Sequence, residues 1–313
     1  MDEIKLKTIF ERDPTRAIEP VQKVDDLAEE QVKQDIDEFV PTESIRKVLS
    51  EITKLIDQEH QHRFLYVHAM FGSGKSHLLK LIGLAMQKTN QLTWSDLNPG
   101  KRLADQYTVF QNFRRNVTEA DQQFIPLQLN LLDRDPATSP TIARMVFNQY
   151  ARSEGFPLEP EWLSYWLWQV KYKKDFYENL VGAKDDKGKS FDQINSNPGK
   201  VRNWLLDVVP NFTNLSQKDL KGEFEESQEK LKDFDAQDLS HVLETTEKAL
   251  GGRDHNTEFL IGLDEIALYV GDNAIYYDEI IETCRTLKDG PNPMIIGTGQ
   301  WSIRDIHRNL KGD

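Results

Sequence analysis

The sequence predicts a three-layer α/β fold in which a mainly parallel sheet carries helices on both faces and a helical segment is inserted between its strands. Two stretches carry that prediction. The apolar run Arg63-Phe-Leu-Tyr-Val-His68 passes directly into the glycine-rich Ala69-Met-Phe-Gly-Ser-Gly-Lys-Ser-His77, and a second run, Phe259-Leu-Ile-Gly-Leu263, closes on Asp264-Glu265. Continuous apolar strands suit the centre of a sheet covered on both sides. A glycine-rich turn between a strand and a helix is the mark of a parallel strand-loop-helix unit.

Residues 1–40 are charged and weakly periodic, with Pro14 and Pro20 breaking any long element; they read as an N-terminal arm crossing the surface of something larger. A helix then starts at Pro41-Thr42-Glu43. Its Ile45, Val48, Leu49, Ile52, Leu55 and Ile56 form one stripe that suits packing against the sheet. The first strand spans 63–69, and the helix after the loop spans 75–88 with Leu78, Leu79, Ile82 and Ala85 on its apolar face. Within the turn-rich stretch 89–121, Tyr107-Thr-Val-Phe110 is a short strand candidate. A stronger strand is Phe124–Leu132, with Pro126 marking its first residues.

The interval 136–257 reads as a helical insertion, with helical patterns at 140–152, 161–179, 200–208 and 217–249. Its Trp162, Trp166 and Trp168 are expected to pack rather than to stack bases, because no basic stripe accompanies them. The densely charged stretch from Lys218 to Lys248 reads as a solvated helix pair or a mobile hairpin. After the acidic pair a helix from Tyr276 to Leu287 carries Ile280, Ile281 and Leu287 and is broken by Pro291-Asn-Pro293. The last strand, Met294-Ile-Ile-Gly-Thr298, ends in Thr298-Gly299-Gln300.

The chemistry follows from the loop and the strand ends. Gly72 and Gly74 let successive N–H groups converge on a phosphate, and the helix behind them adds its positive N-terminal end. Phe71, Gly72, Ser73, Gly74, Lys75, Ser76 and His77 are therefore candidate nucleotide contacts, with Lys75 reaching the β- and γ-phosphates and Ser76 holding magnesium. Ala69 stands where the usual motif has its first glycine, so the chain must leave the strand through angles an L-residue tolerates. Asp264 would share the magnesium with Ser76, directly or through water, and Glu265 would orient and polarise the attacking water. Thr298 and Gln300 are candidate sensors of that water or of the γ-phosphate; either is also an ordinary polar strand end. The acidic strand is expected beside the 63–69 strand, so that Asp264 meets Ser76. The set describes a P-loop NTPase of the AAA-like, additional-catalytic-acid type that takes a nucleoside triphosphate and Mg2+, with no residue that reads the base. Its domain is read as 41–135 and 258–313, without a C-terminal lid.

Composition narrows the rest. A chain of 313 residues with 38% hydrophobic residues can bury one substantial core and a smaller helical one. A formal charge of −13 argues against a broadly cationic DNA-binding face. Lys171-Tyr-Lys-Lys174 either grazes a phosphate backbone or forms a solvated helix face. Cys284 is the one cysteine, which excludes an intrachain disulfide and a multi-cysteine metal site and leaves a packed thiol. His60 and His62 are close but lack further ligands. With no apolar stretch reaching about 18 residues and no secretory h-region, a cytoplasmic protein without a membrane span is expected.

The chain resembles the N-terminal ATPase region of the phage-exclusion P-loop proteins of the BREX family, which includes BrxC and PglY. The likeness rests on Thr8-Ile-Phe10, Arg16-Ala-Ile18 and Val21-Gln-Lys-Val24; on Phe39-Val-Pro-Thr42; on Phe71-Gly-Ser-Gly-Lys-Ser-His-Leu-Leu-Lys80; and on Leu263-Asp-Glu-Ile-Ala-Leu-Tyr-Val-Gly-Asp-Asn273 with Thr298-Gly-Gln300. It covers residues 1–85 and 255–305 well and the insertion poorly. The resemblance implies ATP rather than GTP, hydrolysis inside a multiprotein defence assembly, homo-oligomers with other defence-system proteins as partners, and DNA contact that is indirect or made through missing domains.

Two functions remain open on the sequence. One is an ATPase whose slow turnover needs assembly or missing domains; the other is a nucleotide-gated scaffold or switch with negligible hydrolysis. Intact Lys75 and Asp264 argue against a purely structural relic. In Trp301–Arg308, Arg304 and Arg308 share an exposed helix face, where they either pair with acids of their own chain or serve a neighbouring subunit's site.

Overall fold

The computed structural model describes residues 24, 28–57, 63–70, 72–86, 98–119, 123–173, 175–195, 197–251 and 257–311. The elements run α1 (Glu29–Glu38), α2 (Glu43–Asp57), β1 (Phe64–His68), α3 (Lys75–Met86), α4 (Pro99–Gln106), α5 (Thr108–Glu119) and β2 (Gln123–Asn130). A helical stretch follows: α6 (Ile142–Ser153), α7 (Glu161–Lys171), α8 (Phe176–Gly182), α9 (Phe191–Ile194), α10 (Pro198–Val208), α11 (Gln217–Lys232) and α12 (Ala236–Ala249). The chain ends with β3 (Thr257–Asp264), α13 (Ile266–Val270), α14 (Ala274–Asp289), β4 (Met294–Gly299) and α15 (Ile303–Lys311).

The sheet is parallel throughout, in the order β1-β4-β3-β2. Alternation along the strands divides it into two buried faces. Phe124, Leu260, Met294 and Ile296 join Leu78, Leu79 and Ile82 of α3 and the apolar sides of α1, α2, α4 and α5. Ile125, Leu127, Leu129, Phe259, Ile261, Leu263 and Ile295 point the other way, into a larger core shared with α6, α7, α10, α11, α12 and α14. The segment 136–257 thus supplies much of the third layer and is continuous with the sheet's own core. Trp162, Trp166 and Trp168 are buried there, and the indole N–H groups of Trp166 and Trp168 donate to Glu223 Oε2 at 2.8 Å and Thr246 Oγ1 at 3.2 Å. The charged stretch is a packed helix pair, since Leu220, Phe224 and Leu231 of α11 and Leu239, Val242 and Leu243 of α12 are buried.

Several expectations are corrected. The acidic strand is not beside β1: β4 lies between them, pairing β1 from Phe64↔Ile295 to His68↔Gly299 and β3 from Leu260↔Met294 to Leu263↔Gly297. Both β3 and β4 are apolar on both faces, so periodicity marks each as central without ranking them. Tyr107–Phe110 is no strand; Phe110, Phe113 and Val117 recur at helical spacing along α5 and are buried. Pro126 lies within β2 rather than at its start, which is tolerated because β2 is an edge strand. The end of the N-terminal arm packs on its own chain, burying Val32, Ile36 and Phe39. The motif residues before Val24, together with His60 and His62, lie outside the described residues.

One buried amide sets the height of α3 above the sheet. Gln128 of β2 donates from Nε2 to the Leu79 carbonyl. The space it occupies exists because Gly83 and Gly262 have no side chains: a Cβ on Gly83 would stand 2.4 Å from Gln128 Nε2, and one on Gly262 3.1 Å from Leu79 Cδ1. Close approach of α3 to β3 brings the glycine-rich loop over the carboxyl ends of the strands.

Candidate functional site

The loop after β1 turns on two glycines in the left-handed region, Gly72 at φ +74° and Gly74 at φ +78°. Nothing lies within 4 Å of a Cβ built on either, so the requirement is conformational rather than steric. Ala69 keeps an ordinary φ, and its N–H continues the ladder by donating to Gly299 O at 3.2 Å. Ala69 in place of the usual first glycine therefore needs no left-handed backbone. The first intrahelical bond of α3 runs from Leu78 N–H to Gly74 O at 2.8 Å. It leaves the main-chain N–H groups of Lys75, Ser76 and His77 at the helix's positive end. Gly72, Ser73 and Gly74 are exposed, whereas Lys75 is buried and donates from Nζ to Ala69 O at 2.9 Å and Met70 O at 3.1 Å.

Facing this turn are the ends of β3 and β4. Asp264 is buried; its Oδ1 accepts the hydroxyl of Thr298, itself buried, while Oδ2 is buried without a hydrogen-bond partner among the described residues. Glu265 adopts φ 60°, ψ 35°, left-handed geometry that an ordinary side chain takes only under constraint. That conformation ends the strand's alternation and opens α13. The Glu265 N–H approaches Thr298 Oγ1 at 3.4 Å, and one carboxylate oxygen, Oε2, is buried without a hydrogen-bond partner among the described residues. Burial, and then the neighbouring charge of Asp264, push the Glu265 carboxyl above its ordinary range, against the opposing pull of Lys75 and of a hydrogen bond with Gln300.

Lys75, Asp264, Glu265, Thr298 and Gln300 are thus brought together, with Ser76 half-buried in the first turn of α3. The His77 side chain is not part of this group. Its Nε2 donates to the main-chain carbonyl of Asp35 at 2.7 Å, and its ring lies edge-on to Phe39 at 6.1 Å, leaving only its main-chain N–H with the loop. Phe71 lies outside the described residues.

Tyr66 is a member of the site that sequence reasoning missed. It pairs in register with Gly297, and its hydroxyl donates to Trp301 O at 2.8 Å. The ring covers the notch that two glycines leave in β4, where a Cβ on Gly299 would stand 2.0 Å from the phenolic oxygen. Burial and the Glu265 charge push the phenol up to about 12. The signal in the sequence was the flanking of Thr298 by glycine on both sides.

The remaining candidates stand apart. Arg304 and Arg308 on α15 are exposed, with Arg308 Nη1 3.9 Å from Asp305 Oδ1. Lys171 is half-buried, paired with Glu154 and near the rings of Phe156 and Tyr172, so it is neither a solvated charge nor free for a phosphate backbone. Lys174 lies outside the described residues. Cys284 packs against the larger core, and burial pushes its thiol up to about 12.

Among the described residues no group of three or more His, Cys, Asp or Glu side chains is placed to hold a metal ion. A divalent cation here would take one or two protein oxygens and complete its shell from phosphate and water, the habit of magnesium; the unpartnered Oδ2 of Asp264 fits that use. Among the same residues no helix is long and apolar enough to cross a membrane. No protein-family model, curated protein or solved structure matches the chain.

Proposed function

We propose that the chain is a P-loop ATPase of the AAA-like, additional-catalytic-acid type, binding ATP with Mg2+ and hydrolysing it slowly until assembly with partners. The observation that carries this reading is the meeting of a left-handed glycine turn and a helix N-terminus with two consecutive carboxylates, each retaining a buried oxygen without a hydrogen-bond partner among the described residues. Buried carboxylate oxygens without partners are rare unless a ligand or a reaction uses them. The intervening β4 supports the subtype, because Thr298 and Gln300 then stand between the loop and the acidic pair.

Lys75 would exchange the carbonyls of Ala69 and Met70 for phosphate oxygens, and the N–H groups of Lys75, Ser76 and His77 would face the same anion. Ser76 and Asp264 would hold magnesium, which when bound neutralises charge on the phosphate oxygens. Thr298 fixes the Asp264 carboxylate by its hydroxyl. Glu265, a stronger base than an exposed carboxylate because of its burial, would accept a hydrogen from the attacking water while Gln300 holds its orientation. The resemblance to BREX proteins extends the proposal to a multiprotein anti-phage assembly with homo-oligomers, other defence-system proteins and indirect DNA contact.

A second reading is favoured by the state of Lys75. Its ammonium is bonded to the loop's own carbonyls, so ligand must displace it, as in a nucleotide-gated switch with negligible hydrolysis. Calorimetric titration with ATP in the presence and absence of Mg2+, followed by phosphate release from the same samples, tests both. Binding with release supports the ATPase, binding without release the switch, and no binding by the full chain rejects both.

A further inference from the structure

Two polar links from α3 and one from within α1 converge on one residue, Asp35. Its Oδ2 lies 2.6 Å from Lys80 Nζ, with side-chain exposures of 0% and 1%. Its Oδ1 accepts from Gln31 Nε2 at 2.8 Å, and its main-chain carbonyl accepts from His77 Nε2 at 2.7 Å. A carbonyl can only accept, so His77 carries its proton on Nε2. His77 and Lys80 are three residues apart and share one face of α3. His77 also belongs to the turn whose N–H groups face the candidate phosphate site. A buried ion pair is a poor source of net stability, since an apolar pair of similar volume does as well or better; its better-attested role is to fix register. Other polar links of α1 run elsewhere, among them Tyr107 OH to Ile36 O at 2.7 Å and Arg102 Nη2 to Asp37 Oδ1 at 2.8 Å.

We propose that α1 is a clasp on the phosphate-binding helix: Asp35, gripping His77 and Lys80, positions the first turn of α3, so that docking of α1 and occupancy of the loop are coupled. This rests on the nucleotide reading above and adds to it a route of control. Coupling of this kind is reciprocal. Bound nucleotide holds α1 down, and a partner that draws α1 away lowers nucleotide affinity.

Amide hydrogen exchange over residues 29–38 of the full chain, with and without MgATP, reads the coupling directly. MgATP should slow exchange there by about fivefold or more, the low end of ordinary coupling. His77→Phe keeps a ring beside Phe39 but removes the bond to Asp35. The paired change Asp35→Leu with Lys80→Met removes both charges and leaves neither buried alone. Each should retain native circular dichroism, bind MgATP about fivefold or more weakly, and lose the ligand-dependent slowing over 29–38. If one variant fails to fold, the other and the wild-type exchange carry the test. Wild-type chain that binds MgATP with unchanged exchange over 29–38, or folded variants that bind as wild type does, overturns the clasp alone. Wild-type chain that binds no MgATP overturns the nucleotide reading and the clasp with it.

Discussion

Thr298 donates its hydroxyl hydrogen to Asp264 across the ends of β4 and β3, and both side chains are buried. The same hydroxyl oxygen is approached by the Glu265 N–H at 3.4 Å. One threonine therefore ties the two carboxylate-bearing residues to the strand that separates them from the loop. Thr298→Val keeps the shape and removes the donor from a buried carboxylate, a loss of about 1.5–3 kcal/mol for a hydrogen bond to a charged group. Thermal or denaturant unfolding should show that loss, and Thr298→Ser should recover most of it. A Thr298→Val chain as stable as wild type would mean the Asp264 carboxylate does not need this donor.

The loop side of the proposed nucleotide site is tested by Lys75→Ala. Lys75 Nζ is held by two loop carbonyls at 2.9 and 3.1 Å, so its removal leaves those acceptors to water while deleting the cation nearest the loop. ATP affinity should fall by tenfold or more, as expected when a charge-assisted contact of roughly 1.5–3 kcal/mol is lost. Equilibrium titration with a fluorescent ATP analogue would measure it, and unchanged affinity would remove Lys75 from the binding set.

Glu265→Gln separates binding from turnover. The substitution keeps the size of the side chain and removes the proposed base, so MgATP binding should persist while phosphate release falls by about 10²–10⁴-fold, the usual contribution of general base catalysis. Turnover equal to wild type would reject Glu265 as the water-activating group. A wild-type chain that binds but shows no release would favour the switch reading instead.

The elements carrying the site were legible because their chemistry is local. The glycines that must turn left-handed, the apolar run into the loop and the apolar run into Asp264-Glu265 can be read without knowing what packs against them. Strand order was not legible, because β3 and β4 are both apolar on both faces and their ranking depends on tertiary packing that periodicity does not record. Tyr107–Phe110 misled for a related reason: four residues rich in aromatic and β-branched side chains suit a strand locally, and only the longer recurrence to Val117 reveals α5. His77 sits inside the motif, yet its ring is claimed by Asp35, a partner 42 residues away. Tyr66 escaped notice because its role depends on empty space above Gly297 and Gly299.

Tyr66 already occupies that space. A Cβ at position 299 would stand 2.0 Å from Tyr66 OH and 3.1 Å from Ala267 Cβ. Gly299→Ala should therefore destabilise the chain by about 1–3 kcal/mol, the usual cost of overpacking. Tyr66→Phe removes the atom in closest conflict, together with its bond to Trp301 O. If the clash sits at that hydroxyl, the double variant should be more stable than the sum of the two single effects predicts. Strict additivity in a denaturant-unfolding cycle would place the conflict elsewhere.

Helix α15 offers cations to a neighbouring subunit. Arg304 and Arg308 are exposed on it, and the pairing available to Arg308 is a long one, 3.9 Å to Asp305; exposed pairs of that kind hold little energy. Either arginine is thus available to a neighbouring subunit, where a cation beside the transferred phosphoryl group would lower the barrier to hydrolysis. If one acts in trans, its alanine variant should bind MgATP normally and fail to release phosphate. Glu265→Gln should behave the same way on its own. Mixing the two folded variants creates some interfaces with an intact glutamate on one side and an intact arginine on the other, so phosphate release should return in proportion to mixed assembly. Mixed assembly demonstrated by labelled subunits, with no return of activity, would leave Arg304 and Arg308 as surface charges.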